Sequence, residues 1–305
     1  MINLVLLTGF LGAGKTTLMK SILDQYGDKK LGVIVNEFGS VNIDAVLIKR
    51  NGIEMAELSN GSIFCACIKD KFVDSLIEMS VMDIEYLFIE ASGLADPSNM
   101  VQILEGISVK TQGRYNYKGS ICITDAEYFL DLYDLLPAIQ NQLEFSSAVI
   151  INKVDLIDED KLIEVIERIS QVNSEALVFT TSFCRVDIVE IVENLEIVLK
   201  DPRETSNTLE SKPKTFVLTA EESIPLEKLE SFIQEILEGT FRIKGFVNTD
   251  QGGIEISTVG NHVTLNNWAE EIKDNQIVVI SSVGIRIISI LSKAIDNNLK
   301  GIVHL

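Results

Sequence analysis

The sequence predicts an α/β protein with a doubly wound, mostly parallel sheet, followed by a smaller α+β domain. Short apolar runs alternate with helical patterns over the first two-thirds of the chain. A glycine-rich loop joins the first of these runs to the first helix, and a polar stretch near residue 200 precedes a second set of strands and helices. Continuous Val, Ile and Leu runs are typical of strands covered on both faces, and helices between strands imply parallel connections.

Six short apolar runs form the predicted sheet of the first domain. The runs are residues 3–7, 31–35, 86–89, 120–123, 148–151 and 176–179. The spacing of apolar residues predicts helices at 16–23, 70–80, 125–136, 159–172 and 187–199. This domain is predicted to extend over residues 1–203.

A linker is predicted at residues 204–213, inside a polar stretch that contains two prolines and lacks apolar periodicity. The second domain is then predicted to extend over residues 214–305. Its elements are a strand at 215–218, a helix at 225–237, strands at 241–248 and 254–259 around a turn at 250–253, a strand at 276–280 and a helix at 283–295.

Composition and charge exclude several classes of partner. The chain has 305 residues and a net charge of −19, from 26 Lys and Arg against 45 Asp and Glu. Nucleic acids and anionic membranes attract clustered positive charge, so we expect neither as a partner. The four cysteines do not form a secreted disulfide framework in a chain of this size, and we expect a cytoplasmic location. The apolar stretch 277–295 contains Arg286 and Lys293, which indicates a strand and a helix rather than a membrane span.

The segment GFLGAGKT, from Gly9 to Thr16, matches the phosphate-binding pattern G-x-x-x-x-G-K-[ST] between a strand and a helix. Glycines allow backbone N–H groups to surround phosphate oxygens, and the helix N-terminus favours negative charge. Lys15 is predicted to reach the β- and γ-phosphates, and the Thr16 hydroxyl to bind Mg²⁺. The predicted nucleotide-binding residues here are Gly9, Gly12, Ala13, Gly14, Lys15, Thr16 and Thr17.

The segment NKVD, Asn152 to Asp155, follows a predicted strand and indicates guanine recognition. The Asp155 carboxylate can accept two hydrogen bonds from the N1–H and N2–H₂ edge of guanine, which adenine does not offer. Asn152 would reach the other edge of the base, and the aliphatic stem of Lys153 would cover the ring. Thr181 and Ser182 follow the next strand and are either a further base-binding loop or an ordinary turn.

The segment EASG begins at Glu90, directly after a predicted strand. Glu90 is predicted to hold Mg²⁺ through water, and the N–H of Gly93 to approach the γ-phosphate. With Lys15, these two residues are the predicted catalytic set, and residues 94–97 are the segment that would respond to hydrolysis. A capping role for the Glu90 carboxylate is the alternative.

Four segments together resemble the CobW-like family of GTPases, relatives of the urease and hydrogenase nickel-insertion GTPases. They are NEFGSVNID (36–44), IEASGLADP (89–97), NKVDL (152–156) and FRIKGFVNT (241–249). The resemblance implies a metal chaperone or insertase that depends on Mg²⁺ and GTP, acts on a client metalloprotein or cofactor protein, and is often a homodimer. It also implies that Asp44 joins Thr16 and Glu90 at Mg²⁺, and that Glu37 senses the nucleotide and faces the metal.

The sequence departs from the family at its Gly-Cys-x-Cys-Cys metal motif. Ser62 and Phe64 replace the first two cysteines, Cys65 matches the third, and Cys67 is an additional thiol. Two thiolates, completed by Glu37 or Glu57, suit Zn²⁺ best, with Co²⁺, Ni²⁺ and Cu⁺ as alternatives. The alternative is that both cysteines are small loop residues without a ligand role. The remaining cysteines and histidines are expected to be packing, surface or capping residues: Cys122, Cys184, His262 and His304.

Three functions are compatible with these motifs. The first is a GTP-driven metallochaperone with slow intrinsic turnover, since the motifs contain no arginine that could act as a finger. The second is a GTP switch that assembles or repairs a cofactor protein, such as a corrinoid protein, without carrying metal. The third, a small-molecule kinase using ATP, is disfavoured by Asn152 and Asp155 because these residues match guanine.

Overall fold

The computed structural model describes residues 1–37, 54–59, 69–93, 95, 97–133, 136–198, 214–269, 271–272 and 275–304. The chain divides into two compact units, Met1–Ser211 and Lys212–Leu305.

The first unit is a parallel sheet with helices on both faces. Its described strands are β1 (Ile2–Thr8), β2 (Leu31–Glu37), β3 (Glu54–Ser59), β4 (Tyr86–Glu90), β5 (Tyr115–Asp125), β6 (Ala148–Asn152) and β7 (Leu177–Thr180). Its described helices are α1 (Lys15–Gln25), α2 (Lys69–Ser80), α3 (Met100–Ile107), α4 (Phe129–Tyr133), α5 (Pro137–Glu144), α6 (Glu159–Val172) and α7 (Ile188–Glu193). The strand order is β3-β2-β4-β1-β5-β6-β7, and each neighbouring pair is parallel.

Alternation along β1 supplies two separate cores, one on each face of the sheet. Val5 and Leu7 face one cluster, which includes Leu18 and Ile22 of α1. Successive side chains of a strand point to opposite faces. The alternate residues of β1 therefore face the second cluster, which also contains buried residues of α2 and α3. Its members include Ile2, Leu4, Leu6, Phe72, Leu76, Met100 and Ile103. The doubly wound architecture therefore follows from apolar residues on both faces of the central strand, at Ile2 and at positions 4–7.

Side-chain caps define where two helices of this unit begin. Asp158 precedes α6 and accepts a hydrogen bond from the N–H of Lys161 at 2.9 Å. Asp187 precedes α7 and accepts one from the N–H of Glu190 at 3.0 Å. Each carboxylate satisfies a backbone donor that the first helical turn leaves unpaired.

The second unit is an antiparallel sheet with two helices packed against it. Its described strands are β8 (Thr215–Ala220), β9 (Thr240–Thr249), β10 (Gly252–Val259), β11 (His262–Trp268), β12 (Asn275–Ser281) and β13 (Val303–His304), in the order β11-β10-β9-β12-β8-β13. The helices are α8 (Leu226–Ile236) and α9 (Ile287–Ala294). One apolar cluster joins both helices to the sheet; it includes Leu218, Phe232, Ile233, Ile243, Val247, Val279, Ile287 and Leu291.

Several element boundaries differ from those predicted. The predicted helix 125–136 is wrong at its start, because Asp125 ends β5 in register with Asn152 of β6. Within the described residues of its remainder, the only helix is α4, and Pro137, suited to a first helical turn, begins α5. The predicted helix 187–199 ends at Glu193, and the predicted helix 283–295 is a short turn, Gly284–Arg286, followed by α9.

The sequence predictions omitted four described elements besides α5: α3, β3, β11 and β13. The strand β11 lies at the edge of its sheet and alternates exposed with half-buried residues, so it lacks an apolar run. The stretch 277–295 is divided among β12, a turn and α9, as expected, and no described helix is long and apolar enough to cross a membrane.

Candidate functional site

The polar residues singled out in the sequence lie at one edge of the first sheet. Parallel strands end at the same edge, and the register pairs Leu7 with Glu90, Thr8 with Cys122, and Asp125 with Asn152. The loops after β1, β4, β5 and β6 therefore start side by side. This edge, at the point where the strand order changes direction, is where α/β sheets bind ligands.

The loop after β1 has a backbone that only glycine adopts easily. Gly9, Gly12 and Gly14 have φ angles of 134°, 82° and 117°. A Cβ on Gly9 would lie 2.1 Å from the carbonyl oxygen of Ile123, and one on Gly14 would lie 2.5 Å from Nδ2 of Asn152. Positive φ favours glycine at all three positions, and lack of space also requires it at Gly9 and Gly14. Helix α1 starts directly after Gly14, so its N-terminus faces the loop.

The Lys15 side chain folds back onto the loop that precedes it. Its Nζ donates hydrogen bonds to the carbonyl oxygens of Gly9 at 2.8 Å and Phe10 at 3.1 Å, and the residue is 8% exposed. The ammonium thus lies within the concave side of a glycine-rich turn at a helix N-terminus. That combination of backbone, dipole and cation favours bound anions.

Thr16 and Glu90 meet at the base of this loop. The Thr16 hydroxyl donates to Oε1 of Glu90 at 3.2 Å, and Glu90 is 6% exposed. A hydroxyl and a carboxylate are hard oxygen donors, which fits Mg²⁺. Asp44, the third predicted Mg²⁺ residue, lies outside the described residues.

The EASG segment is held against the phosphate loop and against α5. The Ala91 N–H donates to the carbonyl oxygen of Leu7 at 2.9 Å. A Cβ on Gly93 would lie 2.7 Å from the backbone nitrogen of Leu11, so the close approach of the two loops requires glycine. The Ser92 hydroxyl is buried and has no hydrogen-bond partner within the described part of the chain, as is common at functional sites.

Gln142 of α5 is a site residue that the sequence did not reveal. Its Nε2 donates to the carbonyl oxygens of Gly93 at 3.3 Å and Ala95 at 2.9 Å, and the side chain is almost fully buried. No local pattern marks a glutamine that contacts a loop so far away in the chain. Gln142 thus holds one carbonyl group on each side of residue 94.

Asn152 joins three loops. Its Nδ2 donates to the carbonyl oxygen of Ala13 at 2.9 Å, and its Oδ1 accepts from the N–H of Cys184 at 3.0 Å. The side chain is 3% exposed. The sequence predicted contact with the base, whereas the structure shows both ends of the amide engaged within the protein.

The other NKVD side chains are less buried than that of Asn152. Lys153 has a φ of 64°, and its Nζ lies 2.5 Å from Oδ2 of Asp125. Asp155 is exposed. The buried Thr181 hydroxyl donates to the carbonyl oxygen of Arg185 at 3.1 Å, and Ser182 is half-buried beside it.

The two described cysteines are buried thiols, as expected for packing residues. Burial raises the pKa of Cys122 to about 12 and that of Cys184 to about 11. A high pKa keeps both sulfurs protonated near neutral pH, which makes them poor nucleophiles and poor metal ligands.

Two of the four predicted metal residues, Cys65 and Cys67, lie outside the described residues. The other two, Glu37 and Glu57, lie on the neighbouring strands β2 and β3, with Glu37 paired in register with Ser59. Among the residues that the structure describes, no group of three or more His, Cys, Asp or Glu side chains could hold a metal ion.

Both units match protein-family models. Residues 3–180 match the model described as "CobW/HypB/UreG, nucleotide-binding domain". Residues 214–302 match the "Cobalamin synthesis protein cobW C-terminal domain".

Among curated proteins, the chain is similar to the "Zinc chaperone YjiA" of Escherichia coli, with 31% identity over 218 residues, 70% of this chain and 66% of that protein. It is also similar to the "Zinc-regulated GTPase metalloprotein activator 1" of Dictyostelium discoideum, with 26% identity over 291 residues, 79% of this chain and 61% of that protein. The matches thus span less than two thirds of either relative's length.

Among solved structures, the Zn(II)-bound YjiA GTPase from E. coli aligns with a TM-score of 0.49 and 23% identity, covering 98% of this chain and 99% of that one. HypB from Helicobacter pylori in complex with nickel aligns with a TM-score of 0.44 and 20% identity, covering 63% of this chain and 84% of that one.

Proposed function

The chain belongs to the CobW/HypB/UreG family of nucleotide-binding proteins, and we propose that it is a Mg²⁺-dependent GTPase that acts as a metal chaperone. One observation supports this most directly: the glycine loop with Lys15, the Thr16–Glu90 pair and the NKVD loop all meet at one sheet edge. A phosphate cradle, a pair of oxygen ligands and a guanine-reading carboxylate are the parts that a GTPase needs.

Hydrolysis in this site would proceed by positioning and charge neutralisation. Water attacks the γ-phosphorus, the bond to the β–γ bridging oxygen breaks, and GDP and phosphate leave. The Lys15 ammonium, already held at the loop, would neutralise charge on the β- and γ-phosphate oxygens. Thr16, Asp44 and Glu90 would hold Mg²⁺, which when bound supplies further neutralisation of the phosphates.

Guanine selectivity would come from Asp155. The carboxylate is exposed and able to accept two hydrogen bonds from the guanine edge. An adenine in the same position would leave the carboxylate facing a ring without the matching donors, which is strongly unfavourable. Thr181 and Ser182 would complete the base-side loop, and Asn152 would hold that loop to the phosphate side.

Zinc is the metal that we propose as cargo. Two relatives carry zinc in their names, and the thiolates of Cys65 and Cys67 suit Zn²⁺. Glu37 or Glu57 would complete the site. The metal would pass to a client metalloprotein or cofactor protein in the cytoplasm, where cysteines stay reduced, with the chaperone working as a monomer or a homodimer.

Metal and nucleotide would be coupled. If GTP orders the segment 36–44 and the segment that begins at Glu90, and metal binds between them and Cys65, each ligand changes the affinity of the other by the same factor. A second function remains supported by one observation, the replacement of two family cysteines by Ser62 and Phe64. In that case the GTP switch would assemble a cofactor protein without carrying metal.

The experiment that tests the proposal is Zn²⁺ titration of protein loaded with GDP or with a non-hydrolysable GTP analogue. A Cys65→Ser/Cys67→Ser variant should lose binding, while a His262→Ala/His304→Ala control should retain it. Zn²⁺ affinity should differ between the two nucleotide states at least about fivefold, the usual lower range of such coupling. Zinc binding that the cysteine variant leaves unchanged would overturn the proposed metal site, and absence of zinc binding in the wild type would favour the metal-free switch.

A further inference from the structure

We propose that Asp125, at the end of β5, is a positioning residue for guanine recognition that acts through Lys153. This inference rests on the proposed function and concerns the base side of the same site. It goes beyond the sequence motifs, which assign no role to Asp125.

Both oxygens of the Asp125 carboxylate have interaction partners. Oδ2 lies 2.5 Å from Nζ of Lys153, and Oδ1 accepts a hydrogen bond from the N–H of Glu127 at 3.0 Å. Asp125 is 7% exposed, whereas the side chain of Lys153 is 27% exposed. A carboxylate this buried needs a charged partner, and a flexible lysine beside it is held in one place.

The backbone at Lys153 explains why a partner is needed there. Its φ of 64° is in the left-handed region, which is unfavourable for a residue with a Cβ. Such conformations persist where surrounding contacts determine them, and they cluster at ligand sites. Lys153 precedes the turn Val154–Leu156, so its conformation sets the direction in which Asp155 is presented.

Further hydrogen bonds make the end of β5 and the NKVD loop one unit. The Ala126 N–H donates to the carbonyl oxygen of Asn152 at 2.9 Å. Nζ of Lys161 donates to the carbonyl oxygen of Glu127 at 2.8 Å. The Asp125 side chain is thus attached to a fixed support, and Lys153 is the part that it restrains.

A fixed Lys153 would reduce the cost of binding the base. With its ammonium held at Asp125, the aliphatic stem is immobilised before the ligand arrives, so less side-chain freedom is lost on binding. The benefit applies to the part of the nucleotide that contacts this loop. The phosphates, held by the loop after β1, gain nothing from it.

The test is to measure the affinity of Asp125→Asn for GDP and for inorganic tripolyphosphate, both with Mg²⁺, by calorimetry. Asparagine keeps the shape and removes the charge. GDP affinity should fall tenfold or more, and tripolyphosphate affinity should stay within twofold. An Asp131→Asn variant, at an exposed position on α4, is the matched control and should bind both like the wild type.

A second variant tests whether Asp125 and Lys153 act as one pair. Lys153→Met keeps the stem and removes the ammonium, and it should lose GDP affinity by a similar factor to Asp125→Asn. The double variant should lose no more than either single variant, because both remove one interaction. The inference would be overturned if the fold-loss of GDP affinity in the double variant equalled the product of the two single fold-losses. Equal losses of affinity for GDP and tripolyphosphate would also overturn it, as would a GDP affinity within twofold of the wild type. A wild type that binds tripolyphosphate but not GDP would instead refute the proposed function itself.

Discussion

Single residues at the sheet edge combine backbone strain, burial and hydrogen bonding in a small space. Gly14 shows this most clearly, because its positive φ and the nearby Asn152 and Cys184 side chains leave no room for a methyl group. Asn152 in turn holds the carbonyl oxygen of Ala13. A change at Gly14 must therefore disturb the phosphate loop and the base loop together.

We expect Gly14→Ala to lower the free energy of unfolding by about 1–3 kcal/mol, the usual cost of a strained backbone residue, and to abolish nucleotide binding. Thermal unfolding and GDP titration measure the two effects. Gly106→Ala is the control, since Gly106 lies in α3 with nothing within 4 Å of an added Cβ. That variant should be neutral or more stable by up to ~1 kcal/mol. Equal behaviour of the two variants would contradict the steric explanation.

The buried thiols lead us to predict a loss of stability at high pH. A raised pKa means that the folded protein holds the proton of Cys184 more tightly than the unfolded chain does. Its contribution to stability is complete below pH 9 and is lost as the pH rises towards about 11, the folded pKa.

Iodoacetamide at pH 8 should therefore leave Cys122 and Cys184 of the folded protein unmodified, and peptide mass mapping would detect labelling. Rapid labelling of either residue under native conditions would contradict the burial of that thiol.

At the scale of elements, α5 supports the segment after β4 through one side chain. Gln142 donates to two carbonyl oxygens that flank residue 94, and these acceptors lie in the segment that the nucleotide is proposed to move. The helix is therefore placed to be the fixed support against which the proposed movement of that segment would occur.

Gln142→Leu should slow GTP hydrolysis and lower the free energy of unfolding by about 1–3 kcal/mol, because a buried acceptor loses its donor. Affinity for GDP should change little, since Gln142 touches neither the phosphate loop nor the NKVD loop in the described contacts. Steady-state kinetics and denaturant unfolding provide the measurements, with Gln171→Leu on the exposed face of α6 as control. An unchanged rate of GTP hydrolysis in Gln142→Leu would show that Gln142 does not support the segment after β4 during turnover.

The elements also show what a sequence can and cannot predict here. Apolar runs located the buried strands, and the spacing of Gly9, Gly14 and Lys15 located the phosphate loop, because both signals are local. Asp125 was misplaced at a helix start, since a polar residue after an apolar run suits either a strand end or a cap. Gln142 and the hydrogen bonds of Asn152 depend on contacts between distant parts of the chain, which no local pattern carries.

On the scale of the whole molecule, each unit has its own hydrophobic cluster. The cluster of the second unit is built from β8, β9, β10, β12, α8 and α9 and includes only residues after position 214. A domain of that kind holds together through its own buried apolar area.

A fragment of residues 214–305 should therefore fold alone. Circular dichroism should show the mixture of strand and helix seen here, and urea should unfold the fragment in one cooperative transition. A Phe232→Ala variant, which removes a fully buried ring, should lose about 3–5 kcal/mol and serves as the control for a packed core. A fragment without a cooperative transition would show that its core needs the first unit.

The position of β1 in the sheet has a consequence for synthesis on the ribosome. The strand is synthesised before its partners β4 and β5, whose registers with it end at the pairs Leu7–Glu90 and Thr8–Cys122. At 5–20 residues per second, the first partner is completed roughly 4–16 s after β1. During that interval a mostly apolar strand has no sheet partner while the nascent chain grows. Codon changes that slow translation before residue 90 should therefore lower the yield of folded protein more than the same changes after residue 125.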